Sequence, residues 1–321
     1  MSRWLIVGYG RAGEVHAAAL SRVPSAVIAG VVDSLPQTRE KASAAGYAVY
    51  GDLEAAIERE RPDALSVALP HDLHEWTVEV AAANGLAVLV EKPLARDAEE
   101  ADRMVSTAKA AGVELGCLMN YRAYAQLRWV RQVIADGTLR VRSAVVEVNL
   151  PAPVQVPGWQ SNRARAGGGL LRTVGVHYLD LLVWWLGLPE RLVGHVTGPS
   201  DEVASALIAL PGEVSATVSV AAVAARGAGV RMTLFADQGN VVIEGSQVVS
   251  YPVGMIPPEP EADGADLLYG AGHLEYFRAA DRAVGLGDPF PVRGDEGLAA
   301  VRLVDLWYTS ARTGGWVALD T

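Results

Sequence analysis

Residues 4–33 read WLIVGYGRAGEVHAAALSRVPSAVIAGVVD, and this stretch decides the fold. The apolar run Trp4–Gly8 predicts a buried strand, the alanine-rich run Arg11–Arg22 predicts a helix, and Ala26–Asp33 predicts a second buried strand. A strand, a helix and a parallel strand in succession form a right-handed crossover. We therefore expect an α/β fold with a doubly wound sheet at the start of the chain.

The junction of the first strand and helix has three glycines spaced as G-x-G-x-x-G, in Gly8-Tyr9-Gly10-Arg11-Ala12-Gly13. Gly8 permits a tight turn, Gly10 lets the backbone approach a pyrophosphate, and Gly13 lets helix and strand pack closely. The N–H groups at the start of the helix then face the phosphates. The motif predicts a dinucleotide site, and a plain tight turn between strand and helix is the alternative.

Asp33 ends the second strand 20 residues after the last glycine. A carboxylate at this position can accept hydrogen bonds from the adenosine ribose, although a strand-end cap is the simpler alternative. Because an acid repels a 2′-phosphate, the sequence favours NAD over NADP. Arg11 and Arg39 keep NADP open as a cofactor.

The chain has 321 residues, which suggests about two domains. Its 27 Lys+Arg against 37 Asp+Glu give a net charge of −10 without a basic cluster, which argues against nucleic acid or an anionic membrane as partner. One cysteine, Cys117, excludes a disulfide framework and a multi-thiolate metal site. We find no signal peptide and no apolar run of about 18 residues, so we expect a cytoplasmic protein.

The rest of the chain divides near residue 122. Before it, strands are predicted at Ala64–Ala68 and Ala87–Val90, and helices at Pro36–Ala45, Leu53–Arg59, Leu73–Asn84 and Asp97–Ala111. After it, strands are predicted at Val141–Leu150, Leu192–Thr197, Val203–Leu210, Val214–Val220, Val230–Phe235 and Val241–Ile243, and helices at Ala123–Ala135, Thr173–Trp185, His273–Val284 and near Gly294–Ala311. Tyr251–Leu267 is interpreted as a loop.

The change in the order of predicted strands and helices near residue 122 predicts two domains. Residues 1–122 form a Rossmann dinucleotide-binding domain, and residues 123–321 form an α+β substrate-binding and oligomerisation domain with a large, mostly antiparallel sheet. Packing of the C-terminal helix back on the first domain stays open.

Three further segments carry a family resemblance. They are Val67–His74, which contains Pro70 and His74; Val88–Ala95, which contains Glu91-Lys92-Pro93; and Gly167–Asp180, which begins Gly-Gly-Gly and contains His177. Together with the glycine turn they resemble the glucose–fructose oxidoreductase, inositol dehydrogenase and rhizopine catabolism (Gfo/Idh/MocA) family. The resemblance spans nearly the whole chain.

The resemblance implies an NAD(P)-dependent oxidoreductase acting on a sugar, cyclitol or related polyol. It matches Lys92 to the family's active-site lysine, His177 to its catalytic histidine, and Arg122 to an arginine that follows the first domain. Pro70 and His74 would line the nicotinamide side. It further implies a homodimer or homotetramer formed through the C-terminal sheet.

One residue departs from the family pattern. The family usually has an aspartate four residues before the histidine, and here that residue is Thr173. Asp180 follows His177 by three residues, so on a helix the two share a face, and Asp180 is expected to orient the imidazole. In this interpretation His177 is the general acid or base and Lys92 polarises the reacting oxygen. A helix cap is the alternative role for Thr173.

The remaining candidates complete two sets. The predicted cofactor contacts add Tyr9, Ala12, Ser34, Leu69, His71, Glu91 and Asn120 to the residues above, and the predicted substrate contacts are Tyr121, Arg122, Trp159 and Arg163. Simpler structural roles stay open for several of these residues. Arg122 and Arg163 could be surface arginines, Trp159 could anchor a loop, and His71 with His74 could cap a helix. No metal site is predicted, because His16, His195 and His273 lack cluster spacing.

Two other functions remain open. The first is a dinucleotide-binding sensor or regulator without turnover, which Thr173 keeps possible. The second is redox-assisted glycoside cleavage with tightly held NAD.

Overall fold

The computed structural model describes residues 1–151, 158–224, 228–261 and 271–319. Its contacts divide the chain into two units. The first consists of Met1–Asn120 and Gly272–Leu298, and the second of Tyr121–Ala271 and Ala299–Thr321. Residues 272–298 therefore group with the N-terminal segment, although the predicted second domain ran from 123 to 321.

The first unit contains a six-stranded parallel sheet in the order β3-β2-β1-β4-β5-β6. Its strands are β1 Ser2–Val7, β2 Ala26–Val32, β3 Val49–Tyr50, β4 Ala64–Val67, β5 Ala87–Glu91 and β6 Leu115–Leu118. The strand order reverses beside β1, and such a switch point is where doubly wound sheets bind ligands. The prediction of a doubly wound sheet is confirmed. The two-residue β3 was not predicted, because so short a strand leaves no periodic pattern.

Helices follow the strands of the first unit. They are α1 Arg11–Leu20, α2 Pro36–Ala44, α3 Leu53–Glu60, α4 His74–Ala83, α5 Ala98–Ala111 and, from later in the chain, α9 Ala271–Leu286, with a short 3-10 turn at His71–Leu73. Asp52 and Asp97 cap α3 and α5 by accepting backbone N–H groups. α9 joins this unit through Asp281, whose carboxylate accepts the Trp4 indole N–H at 2.9 Å.

The second unit contains an eight-stranded sheet in the order β13-β12-β11-β7-β10-β9-β8-β14. Its strands are β7 Val141–Pro151, β8 Arg191–Thr197, β9 Val203–Leu210, β10 Val214–Ala224, β11 Gly229–Ala236, β12 Val241–Glu244, β13 Gln247–Ser250 and β14 Val317–Ala318. Only the β7–β10 pairing among these neighbours is parallel, so the predicted mostly antiparallel sheet is confirmed. On β9, Ala204, Ala206 and Ile208 are buried between more exposed residues, as expected for a sheet with one covered face.

The helices of the second unit are α6 Ala125–Ala135, α7 Arg163–Ala166 and α8 Val176–Leu186, and the unit boundary falls within α10 Gly294–Thr313. A π-helical turn, Leu171–Gly175, leads directly into α8. The predicted helix start at Thr173 is therefore two residues late, because this turn was not expected. Within the described ranges, no helix combines the length and the apolarity needed to cross a membrane. Residues 262–267 of the predicted loop lie outside the described residues.

Candidate active site

The glycine turn joins β1 to α1 in the way its spacing predicts. Gly8 has φ +91°, a conformation that favours glycine, and a Cβ atom on it would lie 2.5 Å from the carbonyl oxygen of Ala68. A Cβ on Gly13 would lie 2.0 Å from the Gly8 oxygen, so helix and strand are packed as closely as glycine allows. Gly10 precedes α1, has open space beside it, and makes no side-chain cap. The N–H groups at the start of α1 can therefore donate hydrogen bonds to an anionic ligand.

Asp33 is joined to this turn by a hydrogen bond. Its Oδ2 accepts the backbone N–H of Tyr9 at 2.9 Å, and its Oδ1 accepts that of Leu35 at 2.9 Å. A carboxylate has acceptor capacity beyond two hydrogen bonds, so the group can also receive ribose hydroxyls. Arg39 donates to the carbonyl oxygens of Asp33 and Ser34. The turn and its acid fit the adenosine and pyrophosphate parts of a dinucleotide.

The loops after β4 and β5 are fastened together by His74. Its Nδ1 lies 3.1 Å from the Leu94 oxygen, and its Nε2 lies 3.0 Å from the Leu69 oxygen. Burial lowers the pKa of His74, while the two carbonyl acceptors oppose that shift. The ring of His71 lies 5.5 Å away, centroid to centroid, in the turn that Pro70 precedes. His74 therefore has a structural role in joining the two loops.

Glu91 and Lys92 stand at the carboxyl end of β5, on the same edge of the parallel sheet as the glycine turn. Burial lowers the pKa of Lys92 below its ordinary value, and the charge of Glu91 partly offsets this shift. Asn120 is buried in this unit, with its Nδ2 3.5 Å from Nδ1 of His273. No sequence pattern indicated His16, whose Nε2 lies 3.0 Å from Oε1 of Glu91, because the two residues are 75 positions apart in the chain.

His177 lies in the second unit against an aromatic ring. The Tyr121 ring is stacked on the imidazole, with centroids 4.2 Å apart and planes inclined by 11°. His177 is buried, with 3% of its surface exposed. The Tyr121 hydroxyl oxygen lies 3.4 Å from that of Tyr178, and burial raises the pKa of Tyr178 to about 12. The Tyr121 ring therefore packs on His177, and its hydroxyl group lies beside that of Tyr178.

Thr173 lies in the π-helical turn before α8 and is not a helix cap. Its hydroxyl donates to the Gly169 oxygen at 3.1 Å, one turn earlier. A π-turn widens the helix by one residue and often occurs at functional sites. The turn occupies the segment that leads to His177.

The Asp180 carboxylate pairs with Arg122, from which it accepts two hydrogen bonds, at 2.9 Å and 2.6 Å. Its expected role in orienting His177 stays a prediction. The Arg122 guanidinium also lies 5.3 Å from the ring centroid of Trp184. Both partners are buried, so Arg122, predicted as a substrate contact, is engaged in an internal ion pair.

Asp201 is a residue that sequence reasoning missed. Its carboxylate accepts the N–H of Gly169 at 2.9 Å, a guanidinium N–H of Arg163 at 2.8 Å, and the hydroxyl of Tyr308. A Cβ on Gly169 would lie 2.3 Å from the Ser200 oxygen, which explains a glycine there. This arrangement, the Asp201 clamp, holds the segment that leads to Thr173. The backbone of Asp201 has a positive φ of 59°.

The last predicted substrate contacts lie close together in the second unit. Trp159 is half-buried in the 3-10 turn Gly158–Ser161, and Arg163 begins α7 with its side chain about half exposed. Within the described ranges, no group of three histidine, cysteine or acidic residues is arranged to hold a metal.

Family models built from known proteins match segments of both units. The model described as "Oxidoreductase family, NAD-binding Rossmann fold" matches residues 2–118, and the GFO/IDH/MocA C-terminal domain matches residues 127–242. Inositol 2-dehydrogenase of Rhizobium meliloti is 25% identical over 94% of each chain. D-glucoside 3-dehydrogenase of Escherichia coli is 31% identical over 58% of this chain and 54% of its own length.

Solved structures share the fold over the full length. The WlbA dehydrogenase of Bordetella pertussis, in complex with NADH and UDP-GlcNAcA, has a TM-score of 0.90 at 24% identity, with 100% of this chain and 98% of that chain covered. Levoglucosan dehydrogenase, in complex with NADH and levoglucosan, has a TM-score of 0.88 at 18% identity, with 100% of both chains covered.

Proposed function

Because the chain belongs to the Gfo/Idh/MocA family of NAD-binding oxidoreductases, we propose that it transfers a hydride between NAD and a hydroxyl-bearing carbon of a sugar, cyclitol or keto-sugar. Relatives named for a glucoside, for inositol and for levoglucosan support this substrate class. NADP is the alternative cofactor. A cytoplasmic location and assembly through the eight-stranded sheet stay predictions.

The observation that carries the proposal lies within the first unit. The glycine turn is tied to Asp33 by the hydrogen bond from Tyr9, and Lys92 ends β5 on the same edge of the sheet. Ligands of doubly wound sheets bind at this carboxyl edge. A dinucleotide cradle and a partly buried ammonium group therefore share one edge.

Each proposed catalytic residue handles a different part of the chemistry. NAD, when bound, supplies or accepts the hydride. The Lys92 ammonium donates a hydrogen bond to the reacting oxygen and stabilises the negative charge that develops there. His177 takes the hydroxyl proton during oxidation and returns it during reduction. Thr173 does not replace the family's aspartate as a charged group, since a hydroxyl carries no charge at neutral pH.

A substrate panel tests the proposal. Purified protein is mixed with NAD or NADP and with cyclitols, glucosides, amino sugars and keto-sugars, and the absorbance of reduced nicotinamide is followed. We expect turnover with at least one member of the panel. Lys92→Ala and His177→Ala should each lose at least a hundredfold in kcat while NADH affinity, measured by fluorescence, stays within about threefold.

Three other results of this experiment would contradict part of the proposal or favour another function. Full turnover in Lys92→Ala contradicts the role of that lysine. Tight NADH binding with no turnover on the whole panel contradicts the proposal and favours a sensor. Release of free sugar without accumulation of NADH favours redox-assisted glycoside cleavage.

A further inference from the structure

A buried polar relay runs from α1 to the end of β5 within the first unit. His16 is fully buried, with Nδ1 2.9 Å from Ser66 Oγ and Nε2 3.0 Å from Glu91 Oε1. The other oxygen of Glu91, Oε2, accepts the backbone N–H of Lys92 at 3.0 Å. One carboxylate therefore joins the imidazole of α1 to the peptide that carries Lys92.

We propose that His16 is a positioning residue for Lys92, acting through Glu91. It holds the Glu91 carboxylate in the orientation that anchors the Lys92 peptide, and it limits the negative charge that the Lys92 ammonium faces. The inference rests on the proposed role of Lys92 for its relevance to turnover, but the relay itself can be tested without substrate.

Packing leaves the imidazole of His16 one orientation. The Phe277 ring meets it edge-on with centroids 5.1 Å apart, and the His273 ring lies 6.4 Å away. Hydrogen bonds to both ring nitrogens and rings of α9 nearby oppose rotation of the side chain. His16 also belongs to the helix that starts at the glycine turn, so a displacement of α1 would be passed to Glu91.

The electrostatics agree with this geometry. Burial raises the pKa of Glu91, but the hydrogen bond and charge of His16, with the charges of Lys92 and His273, more than offset it and hold the pKa at about 2. Burial lowers the pKa of Lys92, and the negative charge of Glu91 opposes that shift. A donor on Glu91 weakens this opposition, so it makes the Lys92 ammonium a stronger acid.

The ionisable and polar groups around Glu91 and Lys92 come from several elements of the first unit. They are His16 on α1, Ser66 on β4, His74 on α4, Cys117 on β6, and His273 on α9 beside Asn120. His16 is the group among them that contacts Glu91 through a side-chain hydrogen bond of 3.0 Å. Its replacement is therefore the most direct way to change the charge that Lys92 faces.

The chain has three lysines, Lys41, Lys92 and Lys109, so a lysine-labelled sample gives few signals to resolve and assign. Protein with isotope-labelled lysine is titrated by NMR, and Lys92→Arg assigns the Lys92 signal. The Lys41 ammonium pairs with Glu14 on α1, so its signal reports whether α1 has moved. We compare wild type with His16→Leu, and use Leu20→Ala as a matched control because Leu20 is a fully buried residue one turn later on the same helix.

We expect His16→Leu to lower the acid dissociation constant of the Lys92 ammonium by about tenfold, because Glu91 loses its donor and presents more negative charge. His16→Gln keeps an N–H donor and should cause a smaller change. Lys41 and Lys109 should titrate as in wild type, and Leu20→Ala should leave Lys92 unchanged. An unchanged Lys92 titration in a folded His16→Leu protein overturns the proposal.

A second comparison covers the case in which His16→Leu fails to fold. Glu91→Gln removes the carboxylate charge and should raise the acid dissociation constant of Lys92. Adding His16→Gln to Glu91→Gln should then change nothing further, because the relay passes through Glu91. An additional shift in the double variant overturns the proposal. Normal turnover in Lys92→Ala would refute the proposed catalytic role of Lys92, and an absence of turnover on the whole panel would refute the proposed function; both outcomes leave these titrations valid.

Discussion

Arg122 holds Asp180 in a two-point ion pair, with Nη2 2.6 Å from Oδ1 and Nε 2.9 Å from Oδ2. The two side chains are 6% and 1% exposed. Bidentate geometry makes this a strong pair, and burial makes either charge costly when its partner is lost.

Breaking this pair from one side should destabilise the protein strongly. We expect Asp180→Leu to lower the free energy of unfolding by about 3–5 kcal/mol, because it leaves a buried guanidinium unpaired. The double variant Arg122→Met/Asp180→Leu should recover most of that loss. Urea unfolding measures both. Arg142→Met, in an exposed pair with Asp237, is the control and should cost less than about 1 kcal/mol. A double variant as unstable as Asp180→Leu would contradict the interpretation.

Asp33 should determine the affinity and choice of cofactor. We expect Asp33→Asn to weaken NADH binding by about tenfold, since a charged acceptor for the ribose is lost. Asp33→Ser should narrow the preference for NADH over NADPH, because the repulsion of a 2′-phosphate disappears. Fluorescence titration with both nucleotides measures the change. Asp63→Asn replaces the acid that precedes β4, at the opposite edge of the sheet, and should bind as wild type does.

The stacked ring of Tyr121 should matter more to turnover than its hydroxyl. Tyr121→Leu removes an aromatic contact worth about 1 kcal/mol and should lower kcat by about fivefold, since the imidazole of His177 is less well oriented. Tyr121→Phe keeps the ring and should remain within about twofold of wild type. Steady-state kinetics distinguish the two variants, and equal losses in both would assign the effect to the hydroxyl contact with Tyr178.

Glu91 should make the protein less stable in acid. Its pKa in the folded protein is about 2, against an ordinary value of 4.5, so the folded state favours the ionised form. The stabilisation is fully present above pH 4.5 and is lost as the pH falls toward 2; it is on the order of 3 kcal/mol. Urea midpoints measured from pH 6 to pH 3 should fall less steeply in Glu91→Gln than in wild type. Parallel curves would contradict the prediction.

The Asp201 clamp should stabilise the segment before His177. Asp201→Ala removes three hydrogen-bond contacts and places alanine at φ +59°, so we expect a loss on the order of 4 kcal/mol in unfolding free energy. Asp201→Asn tolerates that backbone conformation and should lose less. Asp201→Gly keeps the conformation but removes the acceptor, which separates backbone strain from hydrogen bonding in the same urea experiment. Wild-type stability in Asp201→Gly would show that the acceptor contributes nothing.

Much of the first unit was predictable from local patterns. The conformations of the glycine turn, the apolar strands and the strand end at Asp33 depend mainly on residues nearby in the chain. The structure places these features where the sequence predicted them. A turn that requires φ +91° or a close backbone approach selects glycine wherever the rest of the chain lies. The two-residue strands β3 and β14 lacked such a pattern.

The amino-acid order alone therefore established the strand–helix alternation, the glycine turn and its acid, and the family resemblance. Only the tertiary structure shows which hydrogen-bond partners the polar side chains of the site have. Asp180 pairs with Arg122, His16 contacts Glu91, and the Asp201 carboxylate accepts the N–H of Gly169. Backbone conformation depends on adjacent residues, whereas a buried charge needs whichever partner tertiary packing brings within hydrogen-bond distance. That partner leaves no periodic trace in the sequence.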